Sequence, residues 1–193
     1  MKGKSMDQGK SLHKSHHHAG KSSERFLDKE IILKELNIFP GEIILDAGCG
    51  NGYMSKEFSR ILNNTGKIYA LDPDPKAIEI LKGEAKDTNI IPLLGDITKA
   101  TEIADASLDL IYVATVLHGF SKNEIDGFNK ETQRLLKPNG VLAIVEIKKE
   151  PTPFGPPLDI RFSPQELKDI IPLFPEKTVE LGQFFYMQIF KNT

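Results

Sequence analysis

Ile43-Ile44-Leu45-Asp46-Ala47-Gly48-Cys49-Gly50-Asn51-Gly52 joins an apolar run of strand length to a turn with glycine at every second position, and Tyr53 to Leu62 follows with helical periodicity. A strand, a glycine-rich turn and a helix let backbone amides and a helix N-terminus approach a ligand closely. In the dinucleotide fingerprint the third glycine falls three residues after the second, a position held here by Tyr53, so Gly48, Gly50 and Gly52 form GxGxG instead. Asp46 stands two residues before the first glycine, where its charge repels a pyrophosphate. S-adenosylmethionine (SAM) has no phosphate at that place and carries an ammonium and a sulfonium nearby. The acid therefore favours SAM over NAD.

Outward from this turn, Lys67 to Leu71, Ile90 to Leu94, Leu108 to Ala114 and Val141 to Ile147 read as strands, with helices over Pro75 to Lys82 and Lys122 to Leu136. Strand and helix in strict alternation predict βαβ units, a parallel sheet and right-handed crossovers. The fold class is α/β, a doubly wound, Rossmann-like three-layer sandwich. An amphipathic entry helix over Glu24 to Ile38 is stopped by Pro40-Gly41, and residues 1–22, rich in His, Lys and Ser, read as a flexible arm before a domain of residues 23–193. After Ile147 the pattern changes. Lys148 to Pro157 is a proline-rich loop, Ser163-Pro164-Gln165-Glu166 opens a helix, and Val179 to Leu181 with Phe184 to Phe190 predict an antiparallel hairpin around Gly182-Gln183.

Two more acids end strands. Asp72, 20 residues beyond Gly52, suits hydrogen bonds from both hydroxyls of a ribose. Asp96, in Gly95-Asp96-Ile97, suits an adenine amine, with the Ile97 amide meeting a ring nitrogen. All three acids fall at the carboxyl edge of the sheet, where open α/β folds bind ligands.

These residues carry a family resemblance. The glycine turn, Ala70-Leu71-Asp72-Pro73, Gly95-Asp96-Ile97, Leu108-Asp109-Leu110-Ile111-Tyr112 and Leu135-Leu136-Lys137-Pro138-Asn139-Gly140-Val141-Leu142 resemble the successive blocks of class I SAM-dependent methyltransferases. Val113-Ala114-Thr115-Val116-Leu117-His118, Glu146 to Glu150 and Gly155-Pro156-Pro157 resemble the small UbiE-like branch. The resemblance implies a seven-stranded, mostly parallel sheet with an antiparallel last strand. It also implies methyl transfer by in-line attack, leaving S-adenosylhomocysteine. The cofactor-side residues become Asp46, Gly48, Cys49, Gly50, Gly52, Asp72, Pro73, Gly95, Asp96, Ile97 and Ala114. A SAM-binding protein without catalysis stays open, because the class needs no fixed catalytic residue, and a NAD(P)-dependent oxidoreductase on a similar sheet is the other alternative.

His118, just past the fourth strand, suits either orienting an acceptor or taking its proton, or else packing at the pocket rim. Glu146 and Lys148 share a strand face and suit either acceptor contact or a simple ion pair. Arg161 and Phe162 suit either the acceptor pocket or surface packing. Cys49, the only cysteine, reads as a small turn filler; it excludes an internal disulfide, and a reducing, cytoplasmic setting is expected. No metal site is assigned, because His13, His16, His17 and His18 lie in the arm without fixed geometry. A net charge of −2 and the absence of an apolar run of spanning length predict no nucleic acid partner, no membrane span and no signal peptide. A small-molecule methyl acceptor is expected, and a homodimer is compatible.

Overall fold

The computed structural model describes residues 27–193. The expected arm, its four histidines and the first turn of the expected entry helix lie outside the described residues. The first helix, α1 (Lys29–Leu36), is capped by Asp28, whose carboxylate accepts from the Ile31 amide at 3.2 Å. It ends at Asn37, left-handed at φ 48°, before Pro40-Gly41 is reached.

The strands are β1 (Ile43–Ala47), β2 (Lys67–Asp72), β3 (Ile90–Leu94), β4 (Leu108–Ala114), β5 (Leu136–Ile147), β6 (Phe174–Leu181) and β7 (Phe185–Lys191), and the remaining helices are α2 (Tyr53–Leu62), α3 (Pro75–Glu84), α4 (Lys122–Leu135) and α5 (Pro164–Ile170). All seven strands form one sheet in the order β3-β2-β1-β4-β5-β7-β6. The first five are parallel, and β7 runs antiparallel to both β5 and β6. Two apolar clusters, one on each sheet face, complete the three layers. Phe58 of α2 meets Tyr112 of β4 edge to face at 5.4 Å in the first, while Phe128 of α4 lies fully buried in the second.

Three expectations need correction. Alternation is not strict, because residues 95–107 pass from β3 to β4 without a helix. Side chains of α4 satisfy that backbone instead: Glu131 accepts from the Thr101 amide at 2.8 Å, and Arg134 donates to the carbonyls of Ile103 and Thr101. Gly127 lets α4 come this close, since a Cβ there would stand 2.2 Å from the Thr98 carbonyl oxygen. Second, β5 begins at Leu136 rather than Val141, pairing with Leu108 ahead of a register break. Asn192 holds that early stretch by donating to the Leu136 and Lys137 carbonyls. Third, β6 starts at Phe174 rather than Val179, because an exposed edge strand keeps polar residues and Pro175 and loses the alternation that marks a strand.

Candidate active site

The parallel strands end along one edge, and the predicted residues gather there. Gly48 and Cys49 both donate their amides to the Leu71 carbonyl, at 2.8 and 3.1 Å, which folds the turn back over β2. Gly48 has φ +77°, and a Cβ would stand 2.5 Å from Val116 Cγ2, so only glycine fits. Gly52 caps α2. The Gly50 amide donates to Asp72 Oδ2 at 2.8 Å, while the Asp74 amide donates to Oδ1 at 2.8 Å. Asp72 is thus aimed at the turn, and each oxygen keeps a lone pair for a further donor.

Asp46 lies beneath the turn, 3 % exposed, accepting from Ser55 Oγ at 2.6 Å. Burial pushes its carboxyl up to about 6 against the pull of Ser55, and the charge of Asp72 adds to the rise. Opposite it in the β1 to β4 register, Tyr112 holds a buried hydroxyl with no partner among the described residues. Burial, followed by the Asp46 charge, pushes that phenol well up, so it stays neutral. Cys49 is buried, and burial likewise raises its thiol, which favours the filler reading over a nucleophile.

A slot opens beside the turn, lined by Gly48, Leu71, Pro73, Gly95, Asp96, Ile97, Val116 and Phe120. Five of the eight are residues that the sequence singled out. Asp96 sits at its polar end, accepting from the amide and hydroxyl of Thr98 on Oδ1 and meeting Lys99 at 3.0 Å on Oδ2. Burial alone would raise the Asp96 carboxyl, but these partners outweigh it and the net direction is down. Leu71, Val116 and Phe120 were not anticipated. A signal for Val116 and Phe120 was present, since they bracket His118 just past a strand end.

At the end of β4, Ala114 is half-buried and Thr115 takes φ +57°, a costly conformation for a β-branched residue. The chain turns there into a single 3-10 turn, Leu117–Gly119. Glu146, at the end of β5 and fully buried, holds that turn: Oε1 accepts from the amides of Leu117 (3.0 Å) and His118 (3.4 Å), and Oε2 meets His118 Nδ1 at 2.8 Å. Glu146 therefore pairs with His118 and not with Lys148, whose ammonium goes to Glu180. Arg161, 5 % exposed, donates to the carbonyls of Lys148, Glu150, Phe154 and Pro156 and so pins the loop that follows β5. Its guanidinium is committed to that loop rather than to a pocket. Phe162 packs against the second apolar cluster, and its carbonyl accepts from the Tyr186 hydroxyl.

Residues 44–140, half of the chain, match the model of the methyltransferase domain family. The chain belongs to this family. Among curated relatives of this methyltransferase domain, the demethylmenaquinone methyltransferase of Staphylococcus saprophyticus is 26 % identical over 125 residues, 63 % of this chain and 52 % of that protein. A probable cobalt-precorrin-6B C(15)-methyltransferase of Saccharolobus solfataricus is 28 % identical over 89 residues, 44 % of this chain and 45 % of the other. The chain spans about half the length of these curated relatives. A SAM dependent methyltransferase from Aquifex aeolicus, known as a crystal structure, superposes with a TM-score of 0.79 at 26 % identity, covering 90 % of this chain and 94 % of its own. The family match takes in the glycine turn, Asp72, Asp96 and His118 but stops before Glu146 and Arg161. No described helix of this methyltransferase domain is long and apolar enough to cross a membrane.

Proposed function

We propose that this chain binds SAM and transfers its methyl group to a small organic acceptor. The observation that carries the reading is the joint placement of the slot and Asp72 beside one glycine turn. The slot is lined by apolar side chains with one carboxylate and no lysine or arginine, chemistry that suits an adenine ring and offers nothing to a phosphate. The residues present fit SAM. Asp72 would hold the ribose hydroxyls beside the Gly50 amide, and Asp96 with the Ile97 amide would hold the adenine edge. Val116, Phe120, Pro73 and Gly95 would cover the ring. Asp46 would act at longer range, its buried charge drawing the cationic methionine end over Gly48, Cys49 and Gly52, with Ala114 leaving room at the end of β4.

When bound, SAM supplies a methyl group made electrophilic by the attached positive sulfur. What the protein contributes is orientation and exclusion of water, which supply much of the rate in reactions of this kind. A small acceptor is supported by the net charge of −2, which gives no cationic surplus for the phosphates of a nucleic acid. The single thiol suits a reducing, cytoplasmic setting.

Thermal shift with SAM, S-adenosylhomocysteine and NAD tests the cofactor. At a hundredfold excess over Kd, SAM should add about 2.7 kcal/mol, and stabilisation by NAD alone would overturn the proposal. Asp72→Ala removes the ribose acceptor and the Gly50 partner and should weaken SAM at least about tenfold, the equivalent of one charge-assisted hydrogen bond. Labelled SAM incubated with pooled metabolites then tests transfer, and binding without transfer to any pool would mark a SAM-binding protein.

A further inference from the structure

The pairing of His118 with Glu146 says more about the acceptor than the cofactor site does. We infer that His118 is the general base of this methyltransferase, that Glu146 positions it, and that the acceptor is therefore a neutral molecule bearing a weakly acidic hydroxyl. The inference rests on the methyltransferase reading and specifies its other substrate.

Three observations carry it. First, a fully buried carboxylate 2.8 Å from Nδ1 fixes the proton on that nitrogen, so Nε2 presents its lone pair. None of the described residues bonds Nε2, and the side chain keeps 11 % of its surface open. Second, the ring is placed by the backbone as well. Glu146 Oε1 takes both amides at the start of the 3-10 turn, so one carboxylate sets the turn and the tautomer together. The same turn is bracketed by Val116 and Phe120, which line the slot, so the turn that carries His118 borders the proposed cofactor site. Third, the first three cations that follow this strand end in sequence are already engaged. Lys148 pairs with Glu180, Lys149 with Glu166, and Arg161 with four carbonyls. An anionic acceptor would find no free partner among these three and would face the charge of Glu146 behind the imidazole.

The chemistry requires such a base wherever the accepting atom sheds a proton as the methyl arrives, and a hydroxyl, whose proton an imidazole can take directly, is the class proposed. Transfer to an O–H group forms the C–O bond, returns the electron pair of the S–C bond to sulfur and releases one proton from the hydroxyl. His118 Nε2 takes that proton, and the resulting imidazolium is stabilised by Glu146. A carboxylate or another acceptor already ionised has no proton to give up. Across β7, Tyr186 faces Glu146 in register but donates its hydroxyl to the Phe162 carbonyl, so it leaves the pair undisturbed.

The test is the tautomer of His118, read by 15N NMR of the full chain labelled at histidine, with His118→Asn assigning the resonance among the five histidines. The neutral ring should carry its proton on Nδ1. In Glu146→Gln the amide oxygen must still serve the two backbone donors, which turns its NH2 group toward Nδ1 and should drive the proton to Nε2. An Nε2–H ring in the native chain, or a tautomer indifferent to Glu146→Gln, overturns the inference. With an acceptor drawn from the labelled-SAM screen, His118→Asn and Glu146→Gln should each lower kcat about a hundredfold or more while Kd for SAM by calorimetry changes less than about threefold. Transfer confined to acceptors already ionised also overturns it. A native chain that binds no SAM fails the methyltransferase reading itself, whereas SAM binding with an Nε2–H ring fails this inference alone.

Discussion

Asp46 carries a carboxyl into the interior that is worth keeping only if something cationic comes to it. Its folded pKa of about 6 lies above the ordinary 3.8, with burial as the main cause. Between these values the folded state holds more protons than the unfolded one, so stability present below about pH 4 is lost as pH rises through 6. Ionised Asp46 then costs the folded chain at most about 3 kcal/mol. Asp46→Asn should therefore raise stability at pH 7.5 by about 1–3 kcal/mol and leave it nearly unchanged at pH 4, as read from urea unfolding. The same variant should bind SAM more weakly, and in the native chain SAM affinity should fall as pH drops through 6. Equal stabilisation at both pH values would mean that the Asp46 carboxylate is not strained by burial. A residue that costs stability while serving a ligand is the usual mark of a functional site.

Between residue and domain, the loop after β5 is the element whose order depends on one side chain. Arg161 makes bonds to four carbonyls of residues 148–156 and leaves Gly155 packed between its guanidinium and Ile147. Hydrogen bonds from a charged donor are worth about 1.5–3 kcal/mol each when a partner is stranded, though the sum is far from additive. Arg161→Ala should cost about 2–3 kcal/mol and open residues 148–157 to limited proteolysis, with the sheet still folding. Arg161→Lys should recover little of this, because one ammonium cannot reach carbonyls spread around a planar fork. Resistance of the loop in both variants would show that its prolines hold it unaided. The loop leaves the same strand end as Glu146, so loosening it should also raise KM for the acceptor more than Kd for SAM.

At the scale of the whole molecule, the sheet closes its core through the C-terminal hairpin. The first six residues of β7 are buried, and β7 stands between β5 and the exposed edge β6, pairing with β5 from Val141 to Ile147. Without β7, the central strand that carries Glu146 becomes an open edge with apolar residues on both faces. A chain ended at Ile171 lacks both strands and should show no cooperative thermal transition by circular dichroism, even though it retains every proposed cofactor residue. A sharp transition like that of the full chain would mean that the family-matched segment, which ends at Gly140, is nearly self-sufficient.

Periodicity marked β1 to β4 and α2 to α4 nearly as they stand, because a strand buried on both faces is a continuous apolar run and a helix on one face repeats its apolar residues. It failed on β6 and on the first half of β5, where pairing follows from neighbours distant in sequence, Lys191 and Asn192. The cluster of residues in the proposed cofactor site was equally legible. Its residues sit at strand ends and in one turn, so strand order and glycine spacing place them without any long-range knowledge.

The proposed acceptor half was legible only in part. His118 could be singled out by position, but Glu146 lies 28 residues further on, and sequence spacing suggested Lys148 as its partner. Arg161 was equally open between pocket and surface until its four carbonyls were seen. By itself, then, the sequence determined the family, the α/β class and the glycine turn at the sheet edge, since each depends on residues close together in the chain. Only the tertiary structure decided which charges meet. Pairing of β4 with β5 and of β5 with β7 buries Glu146 beneath the 3-10 turn and sends Lys148 outward to Glu180, and burial makes a hydrogen-bonded partner for that carboxylate obligatory.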